Sequence, residues 1–382
     1  MKKKIAILGS TGSIGKILIN IIKQDKKNFE IVLLSADENY KELLKQAKLF
    51  KVKNLIISNE YSYNKIKKDK ISKKISIYNN FNNFKKIFKK KIDYTMSSIS
   101  GIQGLKPTIK IIEFTNKIAI ANKESIICGW DLIQKELKKN KTEFIPVDSE
   151  HFSIWYALRD INKELIEKIY LTASGGPFLN KPLNKLKDVS SKQAIKHPNW
   201  KMGKKISIDS ATMMNKVFEI IEAKKIFNLS YKKLSILVHP KSYIHAIIKL
   251  KNGLTKIVAH DTNMKIPIFN SLYSSNNFIN SKKLNLKILN NLALKEIDYK
   301  RFSVIKILSK LPENSSLFET ILVSINDKLV ELFLANKIKF TDIPKKMHNI
   351  LDLKELKKYK MIKPRKINDI IFLNNKIRSK IE

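Results

Sequence analysis

The sequence predicts an α/β chain: a parallel sheet covered by helices, then an α+β region with a long loop, then a helical C-terminal region. Three observations carry this. Short apolar runs alternate with amphipathic stretches through residues 1–145, the rhythm of a parallel sheet with crossover helices. A loop-like segment from Ser174 to Lys205 holds Gly175, Gly176, Gly203, Pro177, Pro182 and Pro198, and a segment of that length is expected to have a function, such as a lid. Beyond about residue 290 the pattern is helical and glycine is absent. The expected division is 1–147, 148–285 and 286–382.

The strands of the first region are read at Lys4 to Leu8, Ile31 to Ser35, Asn54 to Ser58, Tyr94 to Ser98, Ile118 to Ala121 and Phe144 to Val147, with helices such as Ile14 to Gln24 and Lys41 to Phe50 between them. The lysine-rich stretch Asn64 to Lys91 departs from this rhythm and reads as solvated helix faces and loops. After Asp148 a helix (His151 to Arg159) and a strand (Ile169 to Ala173) precede the lid. A helix (Ala211 to Phe227) and the runs Leu234 to Val238, Ile244 to Leu250 and Leu254 to Ala259 follow it. Asn252-Gly253 joins the last two runs as a hairpin turn, so this region should contain an antiparallel sheet. Leu317 to Ala335 is the clearest C-terminal helix.

Composition narrows the function classes. The net charge is 75 minus 34, or +41, which by itself suggests an anionic partner. Arginine, however, occurs only at 159, 301, 365 and 378, leaving 71 lysines spread along the chain. Base and phosphate recognition favours the forked guanidinium, so no nucleic-acid partner is expected. The longest apolar run is five residues, Ile154 to Leu158, too short to span a membrane. Cys128 is the single cysteine, which suits a reducing compartment and reads as a small buried apolar residue. The opening MKKKIAIL has too short an apolar stretch for a secretory signal, so the cytoplasm is expected.

Gly9-Ser10-Thr11-Gly12-Ser13-Ile14-Gly15 follows a strand and opens a helix, and it gathers three of the chain's ten glycines. Such a turn lets backbone N–H groups approach a pyrophosphate at a helix N-terminus; a purely structural turn is the alternative. At the next strand's exit, Asp37 and Glu38 could accept a ribose 2′-OH, favouring NAD. Asp37 or Asn39 could equally cap the following helix, with Glu42 completing a capping box. Asp148-Ser149-Glu150 lies at another strand exit. If the chain stays extended there, both carboxylates point to one side and suit a hard cation such as Mg²⁺ or Mn²⁺, given a third ligand. In the run Ser207 to Glu219, Asp209 or Ser210 is a good N-cap. Asn215 and Glu219 share a helix face beside Lys216, either as a phosphate-and-metal surface or as an ordinary polar face.

Taken together, GSTGSIG at 9–15, ANKES at 121–125, PVDSEH at 146–151, LTASGGPF at 171–178, HPNWKMGKKISIDSATMMNKVFE at 197–219 and HPKSYIH at 239–245 resemble the 1-deoxy-D-xylulose 5-phosphate reductoisomerase family. The resemblance runs through nearly the whole chain. It implies a Rossmann-like N-terminal domain, an α+β catalytic domain with a flexible lid loop, a C-terminal helical domain and a homodimer. The implied reaction rearranges the phosphorylated sugar 1-deoxy-D-xylulose 5-phosphate and reduces the product with NADPH to 2-C-methyl-D-erythritol 4-phosphate, in the non-mevalonate isoprenoid pathway.

By the same resemblance, Asp148, Glu150 and Glu219 match metal ligands, and a divalent cation there would act as a Lewis acid on the substrate. Ser174, Ser210, Asn215 and Lys216 match positions that grip the substrate phosphate; Lys123 and Ser149 match positions on its polyol portion. His197, Trp200 and Met202 match the closing loop, with His197 reaching substrate. Thr11, Gly12, Ser13, Ile14, Asn122, Glu124 and Gly203 match cofactor positions. Two departures stand out. The family usually has glycine, a basic or a small residue where Asp37 and Glu38 stand. Val323-Ser324-Ile325-Asn326-Asp327 replaces the more usual Asn-Ala-Ala-Asn-Glu, where altered packing or subunit contact is expected.

Overall fold

The computed structural model describes residues 1–69, 74–273 and 277–381. The chain forms two compact units: Met1–Ser125 with Asp131–Asp148 and Met264–Ile279, and Ile126–Trp130 with Ser149–Asn263 and Asn280–Glu382.

The first unit is built on seven parallel strands: β1 (Lys3–Leu8), β2 (Phe29–Ala36), β3 (Asn54–Ile57), β4 (Ser76–Tyr78), β5 (Ile92–Ser97), β6 (Thr115–Ile120) and β7 (Glu143–Pro146). Their order is β4-β3-β2-β1-β5-β6-β7. The order reverses between β1 and β5, and this is where an open α/β sheet leaves a crevice at its strand ends. Ile5, Ile7, Leu34, Leu55 and Met96 are fully buried, as strands covered on both faces require. Helix Ser13–Gln24 lays Leu18, Ile19, Ile21 and Ile22 onto this core. Helix Lys265–Leu272 returns to the same unit, where Ser271 Oγ meets Tyr94 OH at 2.8 Å and Tyr273 OH donates to Asp25 at 2.9 Å.

All six expected strands are present. β4 was not expected: it is a three-residue edge strand within the lysine-rich stretch, of which residues 70–73 lie outside the described residues.

The second unit holds a mixed sheet, not a purely antiparallel one. Its strands are β8 (Ile166–Ala173), β9 (Leu234–Val238), β10 (Ile244–Leu250) and β11 (Thr255–Ala259), in the order β11-β10-β8-β9. β10 pairs antiparallel with β8 and β11, and the β10-β11 turn places Gly253 at φ +88°. β8 and β9 run parallel, a pairing that needs the long crossover between them. That crossover contains the lid segment, which carries a short 3₁₀ stretch (Leu183–Asp188) and a helical turn (Ser191–Ala194) closed by a Ser190/Gln193 capping box.

The crossover helix differs from expectation. It starts at Lys204 with Gly203 as N-cap, so Asp209 and Ser210 are interior and cap nothing. It then breaks at Met213, which takes φ +70°, and resumes as Met214–Phe227. C-terminal helices Phe318–Leu334, Asp342–Leu351 and Ile367–Ser379 complete the unit. Val323, Ser324, Ile325 and Asn326 are buried within it, so this departure is one of internal packing. Among the described residues no helix is long and apolar enough to cross a membrane.

Gly15 sits against the backbone of the glycine turn. A Cβ there would lie 2.5 Å from Ser10 Cα, a backbone clash with no flexible side chain to yield. Gly15→Ala should therefore lower stability by about 1–3 kcal/mol, read as the urea midpoint, and weaken dinucleotide binding in parallel.

Candidate active site

The glycine turn is held from below and open above. Gly9 takes φ +83°, and a Cβ there would press on Ser98 O at 2.8 Å. Its N–H donates to Ser35 Oγ at 2.9 Å, and Ser10 N donates to Ser35 O at 2.8 Å. Gly12 is the N-cap of helix Ser13–Gln24 without a side-chain cap; Gly12 and Ser13 are exposed, while Thr11 and Ile14 are half-buried. First-turn N–H groups so arranged suit a phosphate anion.

At the tip of β2, the cap reading belongs to Asn39, whose Oδ1 accepts from Glu42 N at 3.1 Å. Glu42 turns its own carboxylate to Gln46, 3.3 Å away. Asp37 is exposed and accepts from Ser58 Oγ at 2.7 Å; Glu38 is exposed beside it. Asn122 is buried and caps helix Lys123–Lys139 through Ser125 N. Its amide also donates to Ile99 O and, at 2.8 Å, to Gly101 O, so it ties two strand-end turns together. Glu124 is buried next to it.

The carboxylate group forms by a different route from the one expected. The chain is not extended at Asp148; helix Ser149–Ala157 begins immediately after it. Even so, Asp148, Glu150 and Glu219 each offer a carboxylate oxygen, and the three lie within 4.8 Å of one another. An all-oxygen, all-carboxylate set fits a hard divalent cation. Lys123 Nζ sits on Asp148 at 2.5 Å. Lys216 Nζ donates to Glu150 Oε1 at 2.7 Å and also to Glu219, and Asn215 donates to Glu219. Ser149 Oγ donates to Glu150. Burial alone would push the Lys216 ammonium down, but Glu150 and Glu219 outweigh it and hold its pKa above the ordinary lysine value.

Sequence reasoning missed His151 and Glu222, which form a second ligand-capable set with Asp148. The three-residue spacing of Asp148 to His151 and of Glu219 to Glu222 was the available signal. His151 Nε2 lies 2.9 Å from Glu219 O.

A second group gathers around Ser174. Gly176 N donates to Ser174 Oγ at 3.0 Å, and His197 Nε2 lies 2.9 Å from the same oxygen. Asn199 N and Trp200 N donate to His197 Nδ1 at 3.1 and 3.0 Å. Two donors on Nδ1 place the ring proton on Nε2, directed at Ser174. Burial lowers the His197 pKa to about 4, which keeps the ring neutral. Gly176 takes φ +69°, and a Cβ there would meet Ser210 O at 2.8 Å. The Ser174 turn is thus pressed onto the backbone of half-buried Ser210. The lid segment is anchored by Asn199, which donates to Pro240 O and Ser242 Oγ at 2.7 and 2.9 Å. Trp200 meets the ring of His245 edge-on at 6.1 Å; Met202 is half-buried and Gly203 exposed. His245 stacks on His260 at 3.7 Å, and burial is the main cause that lowers His245 to about 3.

Three family models match the chain: 1-deoxy-D-xylulose 5-phosphate reductoisomerase over residues 5–129, the C-terminal domain of that enzyme over 144–227, and a further DXP reductoisomerase C-terminal domain over 261–380. A 1-deoxy-D-xylulose 5-phosphate reductoisomerase of Pelagibacter ubique is 60% identical over 382 residues, covering 99% of this chain and 98% of its own. That of Persephonella marina is 37% identical, covering 97% and 95%. Among solved structures, the Zymomonas mobilis enzyme in complex with NADPH superposes with a TM-score of 0.87 at 29% identity, covering 100% of this chain and 98% of its own. A DOX-P reductoisomerase in complex with NADPH, fosmidomycin and magnesium gives 0.90 at 31%, covering 99% and 97%.

Two outcomes follow from the geometry. Replacing Glu219 by Gln removes one anionic oxygen from the trio, and Mn²⁺ affinity, measured by titration, should fall by at least roughly tenfold while dinucleotide affinity is kept. His197, His239, His245 and His260 all have lowered pKa values, chiefly through burial. Between pH 6.5 and about 4 the unfolded chain therefore binds more protons than the folded one. Stability should fall as pH drops through that window, and a urea midpoint that stays level or rises on acidification would contradict this.

Proposed function

The chain belongs to the 1-deoxy-D-xylulose 5-phosphate reductoisomerase family, and from that premise we propose the following roles for its residues in the NADPH- and divalent-metal-dependent conversion of 1-deoxy-D-xylulose 5-phosphate to 2-C-methyl-D-erythritol 4-phosphate. The observation that carries the reading is the convergence of Asp148, Glu150 and Glu219 within 4.8 Å. These three would hold Mg²⁺ or Mn²⁺. Such an ion would supply Lewis-acid polarisation of the substrate carbonyl and its neighbouring hydroxyl.

The protein's own groups bind and orient the substrate. Lys123 orients Asp148 and, with Ser149, contacts the polyol portion. Ser174, Ser210, Asn215 and Lys216 present hydroxyl, amide and ammonium donors to the phosphate dianion. The pressing of the Ser174 turn onto Ser210 supports their acting together. His197, neutral with its proton on Nε2, offers a hydrogen bond without adding charge. Trp200 and Met202 exclude water from the bound substrate. The open turn Thr11, Gly12, Ser13 and Ile14 would hold NADPH, and Asp37, Glu38 and Asn39 at the exit of β2 would meet its ribose. Gly203 and Glu124 contribute further cofactor contacts, and Asn122 fixes the turns that line the site.

The functional regions are 1–147 for the dinucleotide, 148–285 for metal and substrate, and 286–382 as linker and helical domain. The enzyme acts in the cytoplasm as a homodimer. Edge strand β11 supports the latter, since it leaves Ile257 at 52% exposure and Leu254 just before it at 63%, an apolar edge of the kind that pairs.

The direct test is oxidation of NADPH, and separately of NADH, by purified protein with 1-deoxy-D-xylulose 5-phosphate and Mg²⁺ or Mn²⁺. Turnover should require the cation, stop with chelator and return when cation is restored. Turnover unaffected by chelator would remove the carboxylate trio from the reaction.

A further inference from the structure

Helix Lys204–Thr212 carries a buried carboxylate where one is least welcome. Asp209 lies in its last turn, beside the negative end of the helix dipole, and is 1% exposed. Its oxygens are met from two sides. Asn326 Nδ2, from the middle of helix Phe318–Leu334, donates to Oδ1 at 2.7 Å, and Lys205 Nζ lies 3.4 Å from Oδ2. Lys205 also reaches Asp327 Oδ1, at 2.9 Å. The C-terminal helix grips beyond the break at Met213 as well: its Glu319 pairs with Lys225 of helix Met214–Phe227 at 3.1 Å, both side chains being buried.

One helix therefore holds both halves of a broken helix, and the two halves carry Ser210 on one side of the break and Asn215 and Lys216 on the other. An apolar contact would stabilise this packing without desolvating a carboxylate. A directional hydrogen bond does what apolar contact does not, since it fixes the rotation of helix Lys204–Thr212 about its axis.

We propose that Asn326 is a positioning residue for the substrate phosphate: through Asp209 it sets Ser210 at the angle at which it shares one phosphate with Asn215 and Lys216. Asp327 acts in the same way through Lys205. The inference deepens the reading of the phosphate group given above and rests on it.

Asn326→Leu removes the donor while filling its volume. The KM for substrate should rise about tenfold, the loss expected when a buried carboxylate loses one hydrogen bond, with kcat changed much less. The stabilisation that inorganic phosphate gives in thermal unfolding should shrink in parallel, while Mn²⁺ and NADPH affinities stay unchanged. The exchange Asp209→Asn with Asn326→Asp rebuilds the bond with its direction reversed and should restore both readouts. An Asn326→Leu enzyme that is less thermostable but has wild-type KM and phosphate response would show a merely structural residue and overturn the proposal. If Asn326→Leu does not fold, Lys205→Met, at a part-exposed position, should raise KM in the same sense, and an unchanged KM there overturns it equally. A wild-type chain that neither turns over substrate nor gains stability from phosphate would instead sink the functional reading on which this one rests.

Discussion

Lys216 carries an ammonium into the interior of the second unit, at 4% exposure, and only the carboxylates of Glu150 and Glu219 make that position tenable. An unpaired charge at that depth would lose several kcal/mol of hydration. The pairing works in both directions, since Glu219 is itself 1% exposed and would be as unstable without a cation. Glu150 comes from helix Ser149–Ala157 and Glu219 from helix Met214–Phe227, so the ammonium fastens two helices at the level of the site. His151 against the backbone of Glu219 adds a second tie between the same helices. Electrostatics thus sets where the carboxylates stand, and apolar packing of the surrounding residues, Phe218, Ile220 and Ile221 among them, sets how firmly.

That arrangement depends on the break at Met213. A continuous helix from 204 to 227 would place Ser210 and Asn215 five residues apart, about 140° away from each other around the axis. A single left-handed residue removes that constraint by changing the axis direction between them. A non-glycine residue there is strained by about 1–3 kcal/mol, which has to be offset by packing on both halves. The flush contact of Gly176 with the Ser210 backbone is one such contact, and it exists because position 176 has no Cβ.

These features also separate what was legible in the sequence from what was not. The parallel sheet was legible because each strand is a local apolar run, and the glycine turn because three glycines at fixed spacing have one backbone explanation. β4 was not, since a three-residue edge strand among lysines has too few apolar positions to register. The extended reading of Asp148 to Glu150 failed because the helix start at Ser149 is decided by docking of helix Ser149–Ala157 in the second unit. Met213 gave no signal at all: nothing in Thr-Met-Met-Asn marks a left-handed residue, and tertiary contacts override local preference there. His151 and Glu222 were overlooked because a helix spacing becomes a ligand set only when two helices face each other.

The charge surplus shows the same limit in another form. Composition offers +41 and 71 lysines, and none of that arithmetic distinguishes one lysine from another. Burial does. Among the described residues, Lys123 and Lys216 are buried at 9% and 4% exposure, and each lies on a carboxylate of the site. A lysine in water keeps its charge without help and can be replaced by any soluble residue at little cost. One held in the interior must be matched by acids placed for it, so its position constrains several other residues. The surplus is therefore largely a property of the surface, where lysine is tolerated almost anywhere, whereas Lys123 and Lys216 stand where carboxylates are placed to match them.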